Sequence, residues 1–232
     1  HFANKIICVS RKQYQILMKY IPTTRSKAVI TYNPPPPVPN IDKKLSDYPT
    51  ILFSGGGSFV KGFDIAVEAI SKIAAKHLCR IYITYGRKAS VKQSVLLREL
   101  ASKLHGKLTV LGRIPYEKLI SLHELAWATL FPSIYEEPLP YAIMESYFLG
   151  TVPVASKVGG IPETIYGTPA EEFLFPAGNV DELIDKVEQL LSLSKEEILN
   201  IGTKLKDKVK RKLNKELIEE KLVKVFTEAL QD

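Results

Sequence analysis

Two carboxylates separated by seven residues, Glu137 and Glu145, lie in the run Phe131-Pro132-Ser133-Ile134-Tyr135-Glu136-Glu137-Pro138-Leu139-Pro140-Tyr141-Ala142-Ile143-Met144-Glu145. Proline is tolerated in the first turn of a helix and glycine favours its end, so a helix is expected to start near Leu139 and stop at Gly150. Glu137 then lies just before the helix and Glu145 about two turns into it. From those positions both can accept hydrogen bonds from the hydroxyls of one ligand, while the free first-turn N–H groups point at an anion. A molecule with a polyol at each end and phosphate between them, a nucleotide sugar, fits that arrangement. A plainer alternative has Glu137 capping the helix and Glu145 facing solvent. Against it, Glu145 sits among Ile143, Met144, Tyr147 and Phe148, where an unpaired buried carboxylate would be costly.

Two further loops carry suggestive residues. Ser54-Gly55-Gly56-Gly57-Ser58-Phe59-Val60-Lys61-Gly62 runs from a strand-like segment into a helical one. Gly55 and Gly56 allow close backbone approach, and Lys61 adds a full positive charge near a helix start, which suits a phosphate. The loop matches neither G-x-G-x-x-G nor the P-loop, so a ligand-free tight turn is the alternative. In Leu111-Gly112-Arg113-Ile114-Pro115, the main chain suits a flat base and Arg113 an anion, or the loop is purely structural.

These loops need elements to hold them. Apolar, β-rich runs are expected to form strands at 6–9, 28–32, 50–54, 80–85, 107–111, 128–131, 152–155 and 172–175. Between them apolar residues recur at helical spacing, as in Phe63, Val67, Ile70 and Ile73. Alternating strands and helices imply a doubly wound α/β domain, a parallel sheet covered on both faces. In such sheets ligands bind beyond the carboxyl ends of the strands, where the three loops fall. Pro34 to Pro37 and Pro39 can form neither a helix interior nor a central strand, so a proline-rich linker is assigned to 34–49, after a strand-helix-strand unit at 1–33. The main domain is then 50–212, and 213–232 is a terminal amphipathic helix with an apolar stripe of Leu217, Leu222, Val225, Phe226 and Leu230.

A chain of 232 residues with 45% hydrophobic and 25% charged residues is ordinary for a globular protein. No apolar run reaches the ~18 residues of a membrane-spanning helix. His1 to Cys8 has no signal-peptide pattern and no initiator Met, so it reads as a cut inside a longer protein. The isolated Cys8 and Cys79 read as reduced core thiols, which favours a cytoplasmic setting. Part of the net charge of +7 lies in Lys204 to Lys215, with a solvated helix face or peripheral contact with an anionic membrane as the two readings. Neither a His/Cys cluster nor an Asp-x-Asp loop implies a metal, and no cofactor is expected beyond the nucleotide-sugar substrate.

Glu137 and Glu145 form an E-x7-E motif, and with Gly150-Thr151-Val152-Pro153-Val154-Ala155-Ser156 and Gly159-Gly160-Ile161-Pro162-Glu163 the block resembles retaining GT-B glycosyltransferases of family 4. The resemblance runs from about Ile51 to the C-terminus and is to the Rossmann-like, donor-binding C-terminal domain. It implies retaining transfer of a sugar from a UDP-, GDP- or ADP-sugar to a glycan, lipid or protein acceptor. By the same resemblance, Glu145 holds the ribose hydroxyls and Glu137 the transferred sugar. Leu139 and Tyr141 offer N–H groups to the diphosphate, Lys61 neutralises the leaving phosphate, and the main chain at Arg113 and Ile114 holds the base. Residues 1–33 look like the end of the N-terminal acceptor domain, and the last helix like the one that packs back towards it. On that view the missing domain is a partner, and this polypeptide alone binds donor but transfers little sugar. Two departures stand out: Gly56 occupies the place of an arginine usual in the family, and Pro138 and Pro140 remove N–H groups from the anion site.

The rivals are another GT-B activity, such as a sugar-nucleotide epimerase or an inverting transferase, and a non-catalytic nucleotide-binding module. A nucleic-acid binder has only the basic charge in its favour, without a recognition motif.

Overall fold

The computed structural model describes residues 3–85 and 90–231. A short parallel pair, β1 (Ile6–Cys8) and β2 (Ala28–Ile30), is joined by α1 (Arg11–Tyr20). The main sheet follows: β3 (Thr50–Phe53), β4 (Arg80–Thr84), β5 (Leu108–Gly112), β6 (Ala128–Phe131), β7 (Val152–Ser156) and β8 (Leu174–Phe175). All are parallel, in the order β5-β4-β3-β6-β7-β8. The intervening helices are α2 (Phe63–Lys76), α3 (Val91–Lys103), α4 (Tyr116–Leu125), α5 (Tyr141–Phe148), α6 (Ile161–Ile165), α7 (Val180–Leu191), α8 (Lys195–Lys212) and α9 (Lys215–Gln231).

The central strands β3, β6 and β7 are buried along their whole length, as expected of a parallel sheet sandwiched between helices. Alternation along β3 shows the sandwich directly. Ile51 and Phe53 belong to the large core with Phe63, Ile70 and Ile73 of α2, whereas Leu52 faces a smaller cluster with Leu122 of α4 and Ala126. The eighth strand is shorter than expected: a 3-10 turn at Pro169–Phe173 takes its first half, because Pro169 sets a helical φ at the turn's start.

Segment 31–49 holds no regular element, and it bonds to the main domain along its length, from Tyr32 and Asn33 to Ser46. The N–H groups of Lys44 and Ser46 donate to the Glu124 and Leu125 carbonyls at 3.1 Å each. The Lys43 ammonium donates to the carbonyls of His123 and, at 2.6 Å, Ala126, and to the Thr151 hydroxyl at 2.8 Å. It thereby caps the C-terminus of α4 with a cation, where the helix dipole favours one. Burial pulls the Lys43 pKa down to about 7.

Two surface readings change. On α9 the buried residues are Ile218 and Val225, with Leu222 partly buried, while Leu217, Phe226 and Leu230 are exposed. The packed face therefore runs through 218, 222 and 225, a helical i, i+4, i+7 series that the expected stripe had missed in Ile218. The basic run of α8 is not one solvated face either. Lys208 donates to the carbonyl of Tyr166 just past α6, Lys212 to that of Glu163 within α6, and Lys206 reaches Asn40 Oδ1 at 3.3 Å. Lys204, Lys210 and Arg211 stay exposed. Cys8 and Cys79 are buried free thiols. Among the described residues, no helix is long and apolar enough to cross a membrane.

Candidate functional site

The strand order reverses between β3 and β6: chain order runs outwards from β3 through β4 and β5 on one side and from β6 through β7 and β8 on the other. Loops leaving two such neighbours diverge and open a crevice. The loop after β3 carries Gly55 and Lys61, and the loop after β6 carries Glu137. Gly55, Lys61 and Glu137, three of the residues singled out by type and spacing, thus meet at the switch point.

Close backbone approach locks the two loops together. Lys61 ends a 3-10 turn (Phe59–Lys61), and Gly62 follows at φ 72°, a left-handed conformation that a Cβ disfavours. A Cβ on Gly62 would lie 1.8 Å from the Pro132 carbonyl oxygen. The Ile134 N–H donates to the Val60 carbonyl at 3.0 Å, and the Lys61 ammonium stands 5.2 Å from the Tyr135 ring centroid. On the far side, Gly159 at φ 54° leaves no room for a Cβ, which would lie 1.5 Å from the Glu137 carbonyl oxygen. The Gly160 N–H donates to that same carbonyl at 2.9 Å, and the Gly159 N–H to the Glu136 carboxylate at 2.6 Å.

Glu137 is 3% exposed and satisfied on both oxygens. Its Oε2 lies 2.5 Å from Lys61 Nζ, and its Oε1 accepts from the Ser133 hydroxyl. Ser133 is itself fixed, its carbonyl accepting from the Ser156 hydroxyl at 2.6 Å. Burial lowers the Lys61 pKa, but the Glu137 carboxylate and the Tyr135 hydroxyl outweigh it, so the ammonium is held above its usual value. These groups border a cavity of about 120 Å³, lined also by Gly55, Pro140 and Ala142. Small-molecule sites usually span about 300–1,000 Å³, so this cavity suits one part of a ligand, such as a phosphoryl group, rather than a whole nucleotide.

Helix α5 begins at Tyr141, two residues later than expected, because Pro140 stays extended at φ −73°, ψ 138° and acts as the N-cap. Glu145 accordingly lies little more than one turn into the helix. Pro140 supplies no side-chain cap, so the first-turn N–H groups of Tyr141, Ala142 and Ile143 have no acceptor within the helix. Leu139 buries its side chain in the core. Glu145 is half-buried beside the Tyr116 hydroxyl. Burial raises its pKa and the nearby Tyr116 hydroxyl opposes the rise, while burial and the carboxylate push the Tyr116 hydroxyl to about 12.

The remaining expected residues stand apart from the cavity lining. Gly56 has φ 72° and open space around its Cβ position. Arg113 is exposed, and Ile114 packs its side chain on the α4 cluster, leaving only its main chain for a ligand. Their loop nevertheless connects to Glu145, because Tyr116 follows two residues after Ile114. Tyr116 and Ser133 were not singled out from the sequence: Tyr116 has no spacing relation to Glu145, and Ser133 is one polar residue in a loop. Among the described residues no group of three or more His, Cys, Asp or Glu is arranged to hold a metal ion.

Solved structures with this fold include a glycosyltransferase from Rickettsia africae, with TM-score 0.82 and 22% identity over 99% of this chain and 64% of that one. Anabaena HepE in complex with UDP-glucose gives TM-score 0.78 and 16% identity over 98% of this chain and 64% of that one. In sequence, an uncharacterized glycosyltransferase of Methanocaldococcus jannaschii is 29% identical over 148 residues, 63% of this chain and 36% of its own length. Granule-bound starch synthase 1 of Pisum sativum is 30% identical over 164 residues, 68% of this chain and 26% of its own. The chain thus spans about a quarter to a third of the length of these curated relatives. Residues 38–224 match the family described as glycosyl transferases group 1. With four-fifths of its length inside that match and the switch-point loops folded as above, the chain belongs to the group 1 glycosyl transferases.

Proposed function

We propose that this chain supplies the donor-binding half of a retaining glycosyltransferase that moves a sugar from a nucleotide diphosphate sugar to an acceptor. The observation that carries the reading is the Lys61–Glu137 pair, 2.5 Å apart at the mouth of a phosphoryl-sized cavity beside the uncapped start of α5.

In the free protein the two side chains neutralise each other. A donor diphosphate competes with Glu137 for Lys61 and adds the first-turn N–H groups of Tyr141 and Ala142 as further donors, the arrangement a helix N-terminus offers an anion. Glu137, relieved of the lysine and still held by Ser133, then accepts from hydroxyls of the sugar. Glu145, oriented by Tyr116, accepts from the ribose hydroxyls. The main chain at Arg113 and Ile114 borders the base. As the bond to the anomeric carbon breaks, negative charge grows on the departing diphosphate. A preorganised cation and helix N-terminus lower the barrier most there. That HepE was solved with UDP-glucose supports a nucleotide sugar as ligand class.

Calorimetric titration with UDP-, GDP- and ADP-sugars tests the reading. Saturable binding of one nucleotide series, weakened at least tenfold by Glu145→Ala, is expected. Binding indifferent to Glu145 and Lys61 would refute it.

A further inference from the structure

A second cavity lies away from the switch point. It is a cleft of about 550 Å³ floored by β2 and walled by α1 and α9. Its volume is within the range of small-molecule sites. Three cations line it, Arg11, Lys212 and Lys221, and no carboxylate does. Tyr32 and Asn214 add a ring and an amide. An acid just outside the lining, Glu163, is already engaged: its carboxylate accepts from the Arg11 main-chain N–H at 3.0 Å and from the Tyr32 hydroxyl at 3.1 Å. Lys212 is fixed over the Tyr32 ring, 5.6 Å from its centroid, with its ammonium also donating to the Glu163 carbonyl.

Two further features distinguish this cleft from an ordinary basic surface. Thr31, another lining residue, is 2% exposed, and its hydroxyl has no hydrogen-bond partner. Buried polar groups are nearly always paired, so an orphan beside a cleft calls for an acceptor or donor from outside the chain. The Lys212 pKa is lowered by burial, and Lys208 and Arg11 lower it further against the pull of Glu163. The cations Arg11, Lys208 and Lys212 thus outnumber the single carboxylate of Glu163, and an oxyanion would relieve both the remaining repulsion and the unpaired hydroxyl.

We propose that the cleft between α1, β2 and α9 is a binding site for a phosphate-bearing ligand, held by Arg11, Lys212, Lys221 and the Thr31 hydroxyl. It is independent of the nucleotide site proposed above, which it does not share a residue with. The same chemistry is offered by a soluble phosphomonoester and by the phosphate of a lipid headgroup.

The test titrates the chain with glycerol 3-phosphate and, in a separate arm, sediments it with phosphatidylcholine vesicles with and without phosphatidic acid. Variants are Lys221→Ala, at an exposed position where folding is not at risk, Thr31→Val and, as a control, Lys61→Ala. Binding is expected to weaken about tenfold on loss of the Lys221 charge, the equivalent of one charge-assisted hydrogen bond. Thr31→Val is expected to weaken it severalfold while leaving the melting temperature of the free chain unchanged or higher, since it removes an unpaired hydroxyl. Saturation by glycerol 3-phosphate alone identifies a soluble ligand, and co-sedimentation with phosphatidic acid alone a lipid; either supports the site. Absence of binding in both arms overturns it. So does binding that ignores Lys221 and Thr31, or that disappears in Lys61→Ala, which would assign the phosphate to the switch point. Failure of nucleotide sugars to bind leaves these outcomes untouched.

Discussion

Replacing Lys61 by alanine strands the carboxylate of Glu137, and the size of the effect follows from its surroundings. Removing one partner of a fully buried ion pair costs about 3–5 kcal/mol, because the remaining charge has lost its compensation. Here Glu137 is 3% exposed but the lysine side chain is 32% exposed, so water can enter the vacated space. Ser133 also remains as a donor. A loss of about 1–3 kcal/mol is therefore expected. The informative variant is the double one. Adding Glu137→Gln replaces the stranded charge by a neutral amide of the same shape, so Lys61→Ala/Glu137→Gln should be more stable than Lys61→Ala by about 1 kcal/mol or more. Urea unfolding, followed through the fluorescence of the buried Trp127, the sole tryptophan, measures all four corners of the cycle. If the two substitutions simply add, or if Lys61→Ala leaves the midpoint in place, the pair is not coupled as described and the argument from a buried carboxylate fails.

Three other outcomes follow from the same geometry. Gly159→Ala would drive a Cβ into the Glu137 carbonyl at a left-handed backbone position, so it should destabilise the fold by about 2 kcal/mol or more, whereas Gly56→Ala, with open space around it, should cost about 1 kcal/mol; thermal unfolding compares them. Lys43 has a folded pKa of about 7, below the usual 10.5, so between those values the unfolded chain binds the extra proton and stability should rise with pH from 7 towards 10. Lys43→Met should flatten that rise in urea titrations at stepped pH. Ile218→Ala on the buried face of α9 should cost about 2–4 kcal/mol and Leu217→Ala, which is 64% exposed, less than 0.5 kcal/mol; equal effects would contradict the assigned face.

The strands were legible because buried parallel strands read as apolar runs with no alternation to decode, as in Thr50–Phe53 and Ala128–Phe131. Glu137 and Lys61 were legible through loop position, since the architecture sends the loops after β3 and β6 to one crevice. Three things were hidden. The start of α5 depended on the backbone state of Pro140, which can sit equally well in the first turn or just before it. The buried face of α9 depended on the angle at which the helix lies against its neighbours, because Leu217 and Ile218 are equally apolar in sequence. Tyr116, Lys43 and the lysines of α8 acquire partners only through tertiary approach. Lys208 and Lys212 lie one turn apart and look like half of a solvated stripe until the end of α6 is placed beside them.

A crystal structure of the chain with a bound nucleoside diphosphate tests the central claim most directly. The account predicts the diphosphate within hydrogen-bonding distance of Lys61 Nζ and the Tyr141 N–H, the Lys61–Glu137 contact lengthened beyond its present 2.5 Å, and the ribose hydroxyls on Glu145. A nucleotide seated in the cleft between α1, β2 and α9, or at the switch point with Glu137 still paired to Lys61 and Glu145 untouched, would contradict it.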